Sequence, residues 1–257
     1  MSRRIAVTGS ASGIGQALAE QLTGAGDTVI GIDLKDADVC ADLGTPTGRT
    51  HAVEAVLERC GGVLDGLVAC AGINVPSPTL VSVNFFGVTA LAEGLRPALA
   101  AAAAPRAAVV GSISGTQPVD EEVVAACLAD DEAAALARAE VVMGEGPQRL
   151  YPSSKAALAR WVRRYCVIPE WAGAGIPVNL VAPGVVRTPM SAALFADERM
   201  KQVMDRAVPM PLNGYAGPEV IAEALSWLIG PSNTHMTGQV LYVDGGAEVS
   251  LRGPAVF

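Results

Sequence analysis

The sequence predicts a doubly wound α/β fold, one parallel sheet covered on both faces by helices. Two observations carry this. Short β-branched runs alternate with longer alanine-rich amphipathic runs along the chain. The short runs are apolar throughout, as strands buried on both faces must be, and do not alternate apolar with polar.

Taken in order, Ile5-Ala6-Val7 is the first strand, followed by a glycine turn and a helix from about Gly13 to Gly24. Thr28 to Ile32 forms a second strand ending on Asp33, and Asp38 to Asp42 a short third. Gly66 to Cys70, Ala107 to Gly111, Val178 to Val181 and Gln239 to Val243 complete the set. Length alone permits one large domain or two small ones. The unbroken rhythm favours a single domain over residues 1–257, with an acidic, alanine-rich helical insertion at about 117–150.

Composition narrows the function. With 51% hydrophobic against 17% charged residues, the chain has ample material for a buried core. A net charge of −8 argues against nucleic acid or an anionic membrane as the main partner. Five cysteines, at 40, 60, 70, 127 and 166, show no C-x-x-C spacing, and His51 and His235 lie far apart. Neither a disulfide nor a metal site is expected. The apolar segment after the N-terminal arginines is too short for a signal peptide or a membrane span, so a cytoplasmic location is expected.

After the first strand the chain reads Thr8-Gly9-Ser10-Ala11-Ser12-Gly13-Ile14-Gly15. Glycines permit close backbone approach, and the following helix offers unpaired N–H groups at its positive end. A pyrophosphate suits that turn, although glycine-rich turns also serve simply as tight connections. Asp33, ending the second strand, can accept hydrogen bonds from ribose hydroxyls and would repel a 2′-phosphate, which favours NAD over NADP.

Tyr151 and Lys155 sit four residues apart at the start of an amphipathic segment, on one helical face. A phenol is a poor base at neutral pH unless a neighbouring cation stabilises the phenolate. Such a pair could equally lie on a surface. The combination of this pair with the glycine turn resembles the short-chain dehydrogenase/reductase family along almost the whole chain. Four further segments carry the likeness: Cys70-Ala71-Gly72, Asn84 within Val81 to Gly87, Pro183 to Thr188, and Asp244-Gly245-Gly246. The cysteine stands where the family usually has asparagine.

The resemblance implies a Rossmann-type fold and an NAD-dependent alcohol/carbonyl oxidoreductase. It implies that Tyr151 is the general acid/base, and that Lys155 lowers its pKa and holds the nicotinamide ribose. The substrate oxygen would be bonded by Ser112, with Ser114 as the second candidate. Asn84 would hold a water in a proton relay, where its own sequence context suggests a buried asparagine bonded to backbone. Gly9, Ser12, Gly13, Ile14 and Gly15 would line the pyrophosphate, Asp33 and Leu34 the ribose, and Asp42 and Leu43 the adenine. Cys70, Ala71 and Gly72 would pass under the cofactor, with Pro183, Gly184, Val186 and Thr188 at the nicotinamide.

The compressed Asp33 to Asp42 segment, the Pro105 to Ser114 stretch and the long insertion further resemble the family's bacterial 3α-hydroxysteroid dehydrogenase/carbonyl reductase branch. In that branch the insertion alters helix-to-helix association, which implies a homodimer as readily as a homotetramer. The segment from Met190 to Phe195, with Met204 and Met210, is rich in flexible apolar side chains suited to a bulky apolar substrate such as a steroid or aromatic ketone. Three alternatives remain at this point: a small non-steroid alcohol, a catalytically silent dinucleotide-binding regulator, and a nucleotide-sugar epimerase or dehydratase.

Overall fold

The computed structural model describes residues 2–256. Seven parallel strands form one sheet in the order β3-β2-β1-β4-β5-β6-β7. They are β1 (Arg4–Thr8), β2 (Thr28–Asp33), β3 (Val39–Cys40), β4 (Gly66–Ala69), β5 (Arg106–Val110), β6 (Val178–Pro183) and β7 (Val240–Val243). All seven expected strands are present, the third shortened to two residues.

The fully apolar strands have a simple cause. Side chains alternate across a strand, and here both faces are covered. Ile5 and Val7 pack with Leu18 and Leu22 of α1 (Gly13–Gly24) and with Ile221 and Leu225 from further along the chain. Ala6, between them, faces the opposite layer with Val56 of α2 (Pro46–Cys60). The next helical stretch is continuous, running from α3 (Thr79–Val81) through a π-turn at Ser82–Phe86 into α4 (Gly87–Ala100). Leu91 and Leu95 of α4 join the same layer as Ala6.

The insertion folds as two helices, α5 (Glu121–Leu128) and α6 (Glu132–Glu145), and a 3₁₀ turn at Pro147–Arg149. Each helix starts at an aspartate N-cap. Asp120 accepts a hydrogen bond from the Val123 amide at 3.0 Å, and Asp131 one from Ala134 at 2.9 Å. Next comes α7 (Leu150–Tyr165), which carries Tyr151 and Lys155. Helices α8 (Ala192–Ala196) and α9 (Glu198–Ala207) follow β6, then α10 (Pro218–Leu228) and, after β7, α11 (Ala247–Arg252).

β1 pairs with β2 on one side and β4 on the other, so the connections leave it in opposite directions. That switch point opens a crevice at the carboxyl ends of the strands, the place where open α/β sheets bind ligands.

Candidate active site

A cleft of about 600 Å³ occupies this crevice. Its floor begins at the glycine turn. Gly9 has φ +69°, and a Cβ there would come within 3.0 Å of the Ala71 amide nitrogen. At Gly15 a Cβ would stand 2.2 Å from the Gly9 carbonyl oxygen, so no larger residue fits. Ser12 precedes α1 without a side-chain cap, and the first turn holds no acidic residue. The helix therefore turns unpaired N–H groups and its positive end towards the cleft. The donor set and the close backbone suit a pyrophosphate.

Asp33 ends β2 at the rim. One carboxylate oxygen accepts from the Ala11 amide at 3.0 Å and the other from Leu34 at 2.7 Å. The acid thus fixes the glycine turn while lining the cleft. Thr8, which opens the glycine motif, is buried and accepts the Ala71 amide at 2.9 Å through its hydroxyl. It ties the end of β1 to the Cys70-Ala71-Gly72 segment after β4.

At the other end Ser112 follows β5 and caps the short turn Ile113–Thr116, accepting the Ser114 amide at 3.1 Å. Both serines line the cleft, and the Ser112 side chain is the one that acts on the titration of the Tyr151 phenol. Burial raises the phenol's pKa, and Ser112 opposes the rise. Lys155 is buried, donates to the Val110 carbonyl at 3.0 Å and lies 5.7 Å from the centre of the Tyr151 ring. Burial pushes its pKa down to about 8. Lys155 thus sits beside the Tyr151 ring while donating to Val110.

Cys70 lies close enough to Lys155 to feel its charge, yet burial dominates and pushes the thiol up to about 12. It is a neutral wall of the cleft at physiological pH. Among the described residues all five cysteines are free, and no three His, Cys, Asp or Glu side chains assemble as a metal site. No helix among them is long and apolar enough to cross a membrane.

Asn84 is placed differently from the other expected residues. It does not line the cleft but lies fully buried beneath it, on the π-turn. Its amide oxygen accepts from the Ile73 amide at 2.8 Å, and its nitrogen donates to the Ile73 carbonyl at 2.9 Å and to Ser154 at 3.2 Å. This two-way clamp shapes the strand end at Gly72, where an added Cβ would meet Asn84 at 3.1 Å and Lys155 at 3.6 Å.

All the other expected residues line the cleft: Gly9, Ser12, Gly13, Ile14 and Gly15, then Asp33, Leu34, Asp42 and Leu43, then Cys70, Ala71 and Gly72, then Pro183, Gly184, Val186 and Thr188, together with Ser112, Tyr151 and Lys155. Thr188 closes against the glycine turn, 3.3 Å from where a Gly13 Cβ would lie. Met190, Leu194, Met200 and Met204 form an apolar roof. Met210 packs instead under Gly184, and Phe195 turns away to meet Tyr215 edge-to-face at 5.2 Å and lie under Arg187 at 4.8 Å. Asp244 lies outside the cleft. It accepts the Gly246 and Glu248 amides at 2.9 and 2.7 Å and so orders the start of α11.

Comparison with known proteins agrees with this arrangement. Residues 3–126 match a family model described as short chain dehydrogenase, and residues 132–248 one described as Enoyl-(Acyl carrier protein) reductase. The chain is 36% identical to the 3-alpha-hydroxysteroid dehydrogenase/carbonyl reductase of Comamonas testosteroni, over 96% of this chain and 97% of that one. It is 28% identical to 3beta-hydroxysteroid dehydrogenase 1 of Eggerthella lenta, over 95% and 93%. The crystal structure of the 3-alpha-hydroxysteroid dehydrogenase from Pseudomonas sp. B-0831, complexed with NADH, superposes with a TM-score of 0.91 at 49% identity, covering 99% of this chain and all of that one. The chain belongs to the short-chain dehydrogenase/reductase family.

Proposed function

We propose that this chain is a single-domain NAD(H)-dependent oxidoreductase that interconverts a secondary alcohol and a ketone, on bulky apolar substrates such as 3α-hydroxysteroids and aromatic or aliphatic ketones. One observation carries the reading: Ser112, Tyr151 and Lys155 converge in the same cleft that the glycine turn and Asp33 enter from the other side. The named activities of the Comamonas and Pseudomonas relatives support it, as does the NADH held by the latter.

The glycine turn and the open end of α1 would hold the pyrophosphate, Asp33 the adenosine ribose, and Lys155 the nicotinamide ribose. The bound dinucleotide would supply or accept the hydride. Tyr151 moves the proton. With its pKa raised by burial, the phenol is protonated at neutral pH and so is ready to donate to a carbonyl oxygen being reduced. In the oxidative direction it must first lose that proton, which Ser112 favours. Ser112 also orients the substrate oxygen against Tyr151. The methionines of the roof exclude water and adapt to an apolar skeleton.

Self-association as a homodimer or homotetramer, in the cytoplasm, completes the proposal. The insertion helices pack on α7, and Val220 and Trp227 of α10 stand exposed, so α10 offers an apolar face for a second copy. Light scattering of the purified protein tests this; a monomer at all concentrations would remove it. For the activity, Tyr151→Phe should reduce NAD-linked oxidation of 3α-hydroxysteroids by about 10²- to 10⁴-fold without changing the melting temperature. Near-full turnover by that variant would refute the assignment.

A further inference from the structure

The insertion reaches the nucleotide end of the cleft through one buried side chain. Arg49 on α2 is 7% exposed. Its Nε donates to the Leu43 carbonyl at 2.8 Å, and Nη2 to the carbonyls of Gly44 at 3.4 Å and Ser82 at 3.3 Å. Nη1 and Nη2 also grip both oxygens of Glu132 at 2.7 and 2.6 Å. Glu132 is the first residue of α6. The Arg49 guanidinium beside it holds its carboxyl below the usual range. The Phe86 ring lies 5.9 Å from the guanidinium.

Three separate segments meet at this fork. Leu43 and Gly44 belong to the loop after β3, of which Asp42 and Leu43 line the cleft. Ser82 opens the π-turn that carries Asn84. Glu132 anchors the insertion. A buried ion pair gains little net stability, because desolvation offsets most of the attraction. What the planar five-donor fork does supply is geometry, satisfying loop and π-turn carbonyls at fixed relative positions.

We propose that Arg49 and Glu132 form a positioning pair through which the insertion sets affinity for the adenosine half of the cofactor. The pair fixes the Asp42–Gly44 loop without touching the ligand itself. The inference rests on the proposed placement of adenine against Asp42 and Leu43.

Dissociation constants for NADH, ADP-ribose and reduced nicotinamide mononucleotide, measured by fluorescence and calorimetry, test it on the full chain. Glu132→Gln, nearly isosteric, should weaken NADH and ADP-ribose by the same factor, about tenfold, and leave the mononucleotide unchanged. Arg49→Lys, which keeps the charge and loses the fork, should do at least as much. ADP-ribose affinity within about twofold of wild type in both variants would overturn the proposal, even if melting temperatures fall. So would equal losses for ADP-ribose and the mononucleotide, the mark of general loosening. Asp42→Ala separates the two levels. If it weakens ADP-ribose while the pair's variants do not, the tether is wrong; if it too has no effect, the adenine placement is wrong.

Discussion

Lys155 donates its ammonium hydrogen to the carbonyl of Val110, 3.0 Å away at the end of β5 and two residues before Ser112. The bond locks the cationic end of the Tyr151–Lys155 pair to the strand that presents the serine. It does not cancel the cost of burying a charge, since Lys155 titrates at about 8 instead of 10.5.

A lysine whose folded pKa is lowered destabilises the fold wherever it must be charged. Between pH 8 and 10.5 the unfolded chain binds the proton more readily than the folded one, so this group makes stability rise with pH across that window. Below pH 8 the full penalty applies. Lys155→Met should therefore lose activity, and wild type should gain stability relative to it as pH rises from 8 to 10.5. Melting curves of the two proteins without cofactor check this; parallel pH profiles would contradict it.

Ser112 is the group that opposes the burial-driven rise of the Tyr151 pKa. Alcohol oxidation needs the phenolate, so its rate climbs with pH through that pKa. Ser112→Ala removes a hydrogen bond to the reacting oxygen and should lower kcat about 10²- to 10³-fold. It should also move the rising limb of the pH–rate profile to higher pH. Ser114→Ala should do neither. A shift in the Ser114 variant alone would reverse the assignment of the two serines.

These roles divide by how far each can be read along the chain. The strands, the glycine turn and the Tyr151–Lys155 spacing are local, set by residues within a few positions of each other. Asn84 is legible from its segment, but the π-turn that contains it is not, because Ser82 to Phe86 carries no local signal that sets it apart from an α-helix. Thr8 reads only as the first residue of the glycine turn, since the Ala71 amide its hydroxyl accepts lies 63 positions away. Arg49 and Glu132 lie 83 positions apart, and each alone reads as a solvated helix charge. Phe195 and Met210 belong to an apolar segment whose periodicity does not say which side chains enter the cleft.

Asp33 offers a test of cofactor choice. Its carboxylate lines the cleft at the end proposed for the adenosine ribose, and Leu34 beside it is 67% exposed. Asp33→Asn keeps an acceptor for the Ala11 amide and removes the charge that would face a 2′-phosphate. Combined with Leu34→Arg, it should raise the NADP-to-NAD ratio of kcat/KM by about 10²-fold, since juxtaposed like charges cost several kcal/mol. Leu34→Arg alone should leave the melting temperature unchanged. An unaltered ratio in the double variant would place the discrimination elsewhere.

Asp120 joins the insertion to the first turn of α7. Its carboxylate takes Arg138 at 2.6 and 3.1 Å as well as capping α5, while its amide donates to Ser153 Oγ at 2.8 Å. Ser153 in turn donates to the Arg149 carbonyl at 2.6 Å, bracketing Tyr151. The Arg138 hydrogen bonds hold the Asp120 carboxyl below the usual carboxylate range. A depressed folded pKa contributes stability above the unfolded value of 3.8 and loses it as pH falls towards the folded one. Asp120→Asn should thus melt below wild type at pH 7, with the gap closing as pH drops beneath about 4. The carboxylate also lies 3.9 Å from the Arg149 guanidinium, two residues before Tyr151, so kcat should fall while the NADH dissociation constant holds. A variant that loses NADH affinity in proportion to kcat would show that Asp120 supports the whole cleft and not the catalytic turn.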